Sequence, residues 1–159
     1  MNIAQLYSRF QSKLILLSLF FLLPFFLGMS LVSKSAPAAS SEEQVRIKTD
    51  QVLVNLKSAY ELESLPDFTG ILDRDFENQL TFQSNLENYF ISHKNSELII
   101  ITDAVLINKD KVSVRLHWFK KFFTNSGVFN KSQGSSQFVF KQYPEGLKLI
   151  YIRQDNPFF

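Results

Sequence analysis

The amino-acid sequence predicts an α+β domain in which N-terminal helices pack on a curved, antiparallel four-stranded sheet. Between residues 41 and 92, apolar side chains recur at intervals of three and four, which is the spacing of helices that bury one face. From residue 97 onward, β-branched residues are frequent and apolar positions alternate with polar ones, as they do in strands. Because the helices come first and the strands follow one another, the order favours an antiparallel meander over alternating α/β units.

Residues 1–38 are predicted to form an export segment, with a small-residue linker at its end, ahead of a single domain over residues 39–159. Leu14–Val32 is a run of 19 residues without a charge that follows a short basic segment, a pattern that secretion machinery recognises. Ala36-Pro37-Ala38 is typical of a signal-peptide cleavage site, whereas 19 apolar residues also suffice to span a bilayer. Two alternatives therefore stay open: a cleaved signal peptide, or a retained membrane anchor. Both predict a domain outside the cytoplasm, either periplasmic or secreted, or anchored in the inner membrane.

Two helices are predicted after the linker. Ser40 and Glu43 have the spacing of a capping box, so the first helix is expected to begin within two residues of Ser40. Pro66 is expected to end this helix, because proline interrupts a helix interior. The second helix is predicted over Asp73–Ser92, with its first acidic residues solvated, and the polar residues 93–96 are expected to form the turn after it.

Four strands are predicted to follow. The first begins at Glu97, the second covers Lys111–Thr124, the third covers Ser136–Tyr143, and the fourth covers Leu147–Arg153. Side chains on a strand alternate between its two faces, and burial favours the apolar face of the second strand as the interior. That face consists of Val112, Val114, Leu116 and Trp118.

Composition excludes several classes of site. The chain has no cysteine and two histidines, which excludes disulfides, zinc–thiolate sites and a histidine-rich metal site. All 15 acidic residues lie after residue 40, against 14 basic ones, so the domain lacks the positive charge that nucleic-acid binding requires. No common catalytic or phosphate-binding motif occurs. We therefore expect neither a metal nor a cofactor.

The C-terminal region carries a family resemblance. Its sequence GSSQFVFK at 134–141, GLKLI at 146–150 and DNPF at 155–158 resembles the closing hairpin of exported bacterial members of the nuclear-transport-factor-2-like superfamily, also called SnoaL-like or cystatin-like. The resemblance covers about residues 42–159, and Gln154 departs from it where glycine is expected. It implies a cone-shaped α+β fold. Enzymatic members use carboxylate, tyrosine or histidine groups inside the cone.

Asp103 is the sharpest candidate for chemistry. It lies in an otherwise apolar strand, where burial raises a carboxyl pKa into the range useful for proton transfer. The alternative is a bulge or strand edge where Asp103 reaches water. Tyr60 is a candidate for the same cone, and Trp118, Phe138 and Phe140 are candidates to line a ligand pocket. For these four side chains the alternative is ordinary core packing.

The outer face of the second strand is a candidate recognition surface. Phenylalanines cluster around Lys120-Lys121, and Phe119, Lys121 and Phe123 are the predicted interface residues, because exposed aromatic side chains beside lysines are typical of interfaces. His117 has the parity of this outer face. The alternative is that these aromatics complete the core.

These observations favour an exported, non-enzymatic binding or assembly domain of the cell envelope, with a second copy or another envelope protein as its partner. The alternative is a small-molecule-binding protein or enzyme that uses a cone-shaped pocket with Asp103 and Tyr60. A third hypothesis is a membrane-anchored scaffold, which requires residues 14–32 to be retained and in contact with the membrane.

Overall fold

Three helices precede four strands in residues 41–159, the part of the chain that the computed structural model describes. The helices pack on one side of an open sheet whose antiparallel strands lie in the order β1-β2-β3-β4, which confirms the predicted class. The predicted export segment lies outside the described residues. Within residues 41–159, none of the helices combines the length and the apolar character needed to cross a membrane. The elements are α1 (Ser41–Glu61), α2 (Leu65–Ile71), α3 (Gln79–Ser92), β1 (His93–Asn108), β2 (Lys111–Thr124), β3 (Phe129–Tyr143) and β4 (Gly146–Gln154).

The first helix starts as predicted and ends earlier. It begins at Ser41 and ends at Glu61, and Pro66 lies in the first turn of α2 instead of closing α1. Proline is favoured in the first turn of a helix because an N–H there has no intrahelical acceptor, so its absence costs no hydrogen bond. The Ser64 side chain caps α2 by accepting from the backbone N–H of Asp67. Pro66 therefore marks the start of a second helix and not the end of the first.

The prediction that the next helix starts at Asp73 was wrong. Residues 73–78 form a turn, and α3 begins at Gln79. Asp73 is only 2% exposed and accepts hydrogen bonds from the Asp75 backbone N–H and the Tyr143 hydroxyl. Burial opposes ionisation, but these hydrogen bonds hold the pKa of Asp73 below its usual value. Asp73 is therefore a structural carboxylate that fixes the turn against β3.

Two strands are longer than predicted. Residues 93–96 belong to β1, where His93 pairs with Thr124, and β3 begins at Phe129 because the polar residues 130–135 pair with the second half of β2. Pairing of this kind uses backbone groups, which polar residues supply as well as apolar ones. Bulges interrupt the β1–β2 and β3–β4 ladders, and bulges increase the local twist and bend of a sheet.

The core lies between the helices and the inner face of the sheet. The four predicted interior residues of β2 are buried, as are Phe138 and Phe140 opposite them on β3. Phe158, near the C-terminus, is fully buried with its ring 4.7 Å from that of Phe68 and 5.6 Å from that of Tyr60. The end of the chain therefore closes the core.

Candidate functional site

The inner row of β2 continues one position beyond Trp118, to Lys120. Lys120 is 4% exposed, because alternation along the strand places it on the same face as Leu116 and Trp118. Its backbone partner on β1 is Leu98, which is also buried. The sequence interpretation had grouped Lys120 with the outer aromatic cluster, and that assignment was wrong.

Three aromatic rings surround the Lys120 ammonium. Its Nζ lies 4.6 Å from the ring centroid of Tyr89, 5.4 Å from that of Phe122 and 5.8 Å from that of Trp118. These distances allow cation–π attraction with each ring. We call Lys120 with Tyr89, Trp118 and Phe122 the Lys120 cage. His93 covers its edge, stacked on Tyr89 with the ring centroids 4.1 Å apart.

No carboxylate neutralises this ammonium. Among residues 41–159, which contain every acidic residue of the chain, none has a carboxylate within 4.0 Å of Lys120 Nζ, and the ammonium donates no hydrogen bond to another described residue. Burial lowers the pKa of Lys120 to about 8, because a desolvated lysine favours its neutral form. Lys120 is still mostly charged at pH 7.

Two buried hydroxyl groups lie next to the cage. The hydroxyls of Tyr60 and Tyr89 are buried and lack a hydrogen-bond partner of good geometry among the described residues, with ring centroids 5.8 Å apart. Burial raises the pKa of both tyrosines, and the nearby Tyr89 raises that of Tyr60 further. The buried Ser96 lies beside them. Buried polar groups are usually paired with protein, water or a ligand, so this part of the interior has open hydrogen-bonding positions.

Asp103 does not share this interior with Tyr60. Asp103 has the same strand parity as the exposed Ile99 and Ile101 and lies on the outer face with them, at a bulge between Thr102 and Ala104. Its carboxylate lies 2.7 Å from Nδ1 of His117. The two side chains form an exposed pair. Of the two alternatives for Asp103, the structure has the bulge on the exposed face and not a place inside the cone, because alternation along β1 separates Asp103 from the buried Leu98.

The remaining pocket candidates lie in the core. Phe138 and Phe140 are fully buried with their rings 6.3 Å apart, and Trp118 donates from Nε1 to Ser136 Oγ at 3.0 Å. Surface grooves of about 180 to 460 Å³ among the described residues are lined by other side chains. Within residues 41–159 no group of three or more histidine and acidic side chains is placed to hold a metal ion.

The outer face of the sheet carries a row of large apolar side chains. We call this the outer apolar face, and its members, each between 39% and 50% exposed, are Ile99, Ile101, Phe119, Phe123 and Phe129. Ile99 pairs with Phe119 across β1 and β2, and the rings of Phe123 and Phe129 lie 5.2 Å apart. Lys121 is on the same side and contacts Glu97 at 3.5 Å. The predicted interface residues therefore lie together on one exposed surface.

Sequence reasoning missed four members of the interior site: Lys120, Phe122, Tyr89 and Ser96. The strict alternation of β2 was the signal for Lys120, since position 120 has the parity of position 118. Tyr89 and Ser96 come from α3 and β1, and nothing in their spacing indicates that the fold brings them to the end of β2.

No protein-family model matches the chain, and no curated protein matches it. Solved structures do. A Salmonella enterica protein of the nuclear transport factor 2 (NTF2-like) superfamily matches with a TM-score of 0.65 at 9% identity, over 74% of this chain and 94% of its own. A conserved protein from Planctomyces limnophilus matches with a TM-score of 0.64 at 13% identity, over 69% and 93%. A Streptomyces avermitilis protein of the NTF2-like family, proposed to be a dehydratase, matches with a TM-score of 0.58 at 10% identity, over 69% and 94%.

Identities this low establish the fold alone, because one fold hosts many unrelated functions. The domain formed by the described residues therefore has the NTF2-like fold, as the resemblance of its C-terminal sequence predicted.

Proposed function

We propose that the chain is an exported, non-enzymatic binding or assembly domain of the cell envelope, and that it works as a homodimer through the outer apolar face. The observation that carries this proposal is the row of five large apolar side chains, all substantially exposed, on neighbouring strands of one sheet face. Contiguous apolar patches of this kind mark interaction sites. The export part of the proposal rests on the charge-free run Leu14–Val32.

A second copy suits this surface better than a uniformly charged partner. Both signs of charge surround the apolar row: Lys121 and Lys131 are basic, and Glu97 and Asp103 are acidic. In a two-fold contact the same patch meets itself, so it must be self-complementary. A mixed rim around an apolar centre meets that requirement.

The position of Asp103 supports a non-enzymatic role. The carboxylate is paired with His117 on the outer face, away from the interior where a substrate would be shielded from water. Turnover of a small substrate that Asp103→Asn abolishes, while the fold survives, would contradict this part of the proposal.

The second candidate is a small-molecule-binding protein or enzyme. It is supported by the Lys120 cage and by the proposed dehydratase among the similar structures. Under this candidate Tyr60 keeps its place in the interior and Lys120 replaces Asp103 as the charged group. The membrane-anchored scaffold is compatible with the dimer and requires in addition that residues 14–32 be retained.

The oligomeric state tests the dimer directly. We expect the full chain in mild detergent to have a protein mass of two copies by light scattering, and Phe119→Asp to reduce it to one copy because a desolvated carboxylate in the centre of the contact is costly. The matched control is Leu80→Asp, at an apolar side chain on α3 that is 83% exposed, which should leave two copies. A wild-type mass of one copy, or dissociation by both variants, would refute the proposed interface.

A further inference from the structure

The Lys120 ammonium is a buried cation for which residues 41–159 supply no counter-ion. Its neighbour Lys121, on the opposite face, is paired with Glu97. Glu61, at the end of α1, is already engaged: it accepts from the Leu98 backbone N–H at 2.8 Å and contacts Lys57. Residues 1–40 contain no acidic residue. A negative charge at Lys120 must therefore come from another molecule.

The surroundings of the ammonium define the chemistry of that molecule. Three ring systems form apolar walls within 4.6 to 5.8 Å of Nζ, and the unpartnered hydroxyls of Tyr60 and Tyr89 lie on the α1 and α3 side. One ammonium suits one negative charge. Aromatic walls suit an apolar or planar body, and hydroxyls donate to the oxygens of an anion.

We propose that the Lys120 cage binds a small organic monocarboxylate, whose carboxylate pairs with the ammonium and whose apolar part packs against the aromatic rings. A phosphate group is a poorer match, because it carries a charge near two and is usually bound by several cationic or backbone donors. This inference rests on the second candidate function, small-molecule binding in the interior, and is independent of the outer apolar face and of the dimer, because the cage is on the inner face of the sheet.

Affinity for a carboxylate should depend on the protonation of Lys120. Only the charged amine forms the ion pair, so affinity falls as pH rises through the pKa of Lys120. The pKa of both tyrosines is raised, so neither hydroxyl loses its proton in the range where Lys120 does. The other titratable groups of this region are Tyr89, whose ring lies 4.6 Å from the ammonium, and His93, which stacks on Tyr89. Tyr60 and Glu63 interact electrostatically with Tyr89, and Glu61 does so with Tyr60.

The test is titration of the full chain with benzoate at constant ionic strength, with benzamide as the neutral analogue. We expect saturable binding of one benzoate per chain to the wild type and to Lys111→Met, which removes an exposed lysine charge at the other end of β2. Lys120→Met should weaken benzoate at least tenfold, benzamide should bind the wild type at least tenfold more weakly than benzoate, and a change from pH 7 to pH 9.5 should weaken benzoate at least tenfold in the wild type.

A second measurement removes any dependence on how the variant folds. In the wild-type chain, benzoate should shift the side-chain NMR signal of Lys120, raise its pKa and leave the signal of Lys121 unchanged. Equal affinity of wild type and Lys120→Met would overturn the proposal. So would the absence of saturable benzoate binding to the wild type, or benzoate shifts at Lys121 without shifts at Lys120.

Discussion

Lys120 is buried although a charged lysine side chain is more stable in water. A lysine on the inner face of a sheet loses hydration, and its pKa falls to about 8 as a result. The unfolded chain keeps an ordinary lysine pKa near 10.4 and therefore binds more protons than the folded chain between about pH 8 and 10.4. Stability linked to this group consequently rises with pH through that window, and the cost of burying the charge is complete below it.

Replacing Lys120 with methionine should stabilise the protein at pH 7. We expect Lys120→Met to raise the free energy of unfolding by about 1 to 3 kcal/mol, because an apolar side chain of similar length removes an unpaired buried charge. The gain should shrink as the pH approaches 10. Urea denaturation of the full chain at both pH values measures it, with the exposed Lys111→Met expected within about 0.5 kcal/mol of the wild type. A destabilised Lys120→Met at both pH values would show that the ammonium is better solvated or paired than its burial indicates.

For single residues, the alternation along a strand predicted correctly which face of the sheet a side chain lies on, whereas the residue type alone did not. The inner row of β2 was predicted as far as Trp118. Lysines are mostly exposed, so Lys120 was grouped with Lys121, although the alternation separates them. Asp103 follows the alternation as well, since it shares the parity of the exposed Ile99 and Ile101 and not that of the buried Leu98. Only its apolar neighbours in the sequence favoured a buried position.

Packing between neighbouring strands depends on one glycine. Gly134 on β3 pairs with Trp118 on β2, and a Cβ at position 134 would lie 2.6 Å from the Trp118 ring and 2.7 Å from Oδ2 of Asp155. Only glycine therefore lets the indole lie across β3. The Asp155 backbone oxygen in turn accepts from Ser136 Oγ, which also receives the indole N–H.

A methyl group at position 134 should disturb this crossing. We expect Gly134→Ala to destabilise the protein by about 1 to 3 kcal/mol, the usual cost of overpacking a closed site. Gly70→Ala is the matched control, since a Cβ there meets nothing within 4 Å and alanine favours helix. Thermal unfolding of the two variants compares them directly. Equal melting temperatures would mean that the indole shifts freely, contrary to its place in the core.

The ends of helices and strands were predicted correctly where particular side chains determine them. The capping spacing predicted the start of α1, and the turn before Lys111 predicted the end of β1. The first half of β3 was missed because its polar residues are paired through backbone groups with β2, a contact that composition does not record. Pro66 was assigned to a helix end, since proline marks a boundary without indicating which of two helices it belongs to.

For the whole molecule, the two faces of the sheet have different roles. The inner face forms the core and the Lys120 cage, and the C-terminal Phe158 closes it. The outer face presents apolar side chains without covering them. The helix-then-meander order predicted this architecture, and the comparisons support it at 9 to 13% identity. The sequence predicted an apolar recognition surface on the outer face but not the identity of its partner, because the residues of a surface do not specify which molecule binds there.

The most direct test of an exported domain that pairs through the outer apolar face is the intact mass of a photo-crosslinked product. A photoreactive residue replaces Phe119 in the full chain, and the product is recovered from the native envelope fraction. We predict a species with the mass of two copies, whose monomer mass also reports whether residues 1–38 are retained. An uncrosslinked chain in the cytoplasmic fraction, or a product that contains a different protein, would contradict the account.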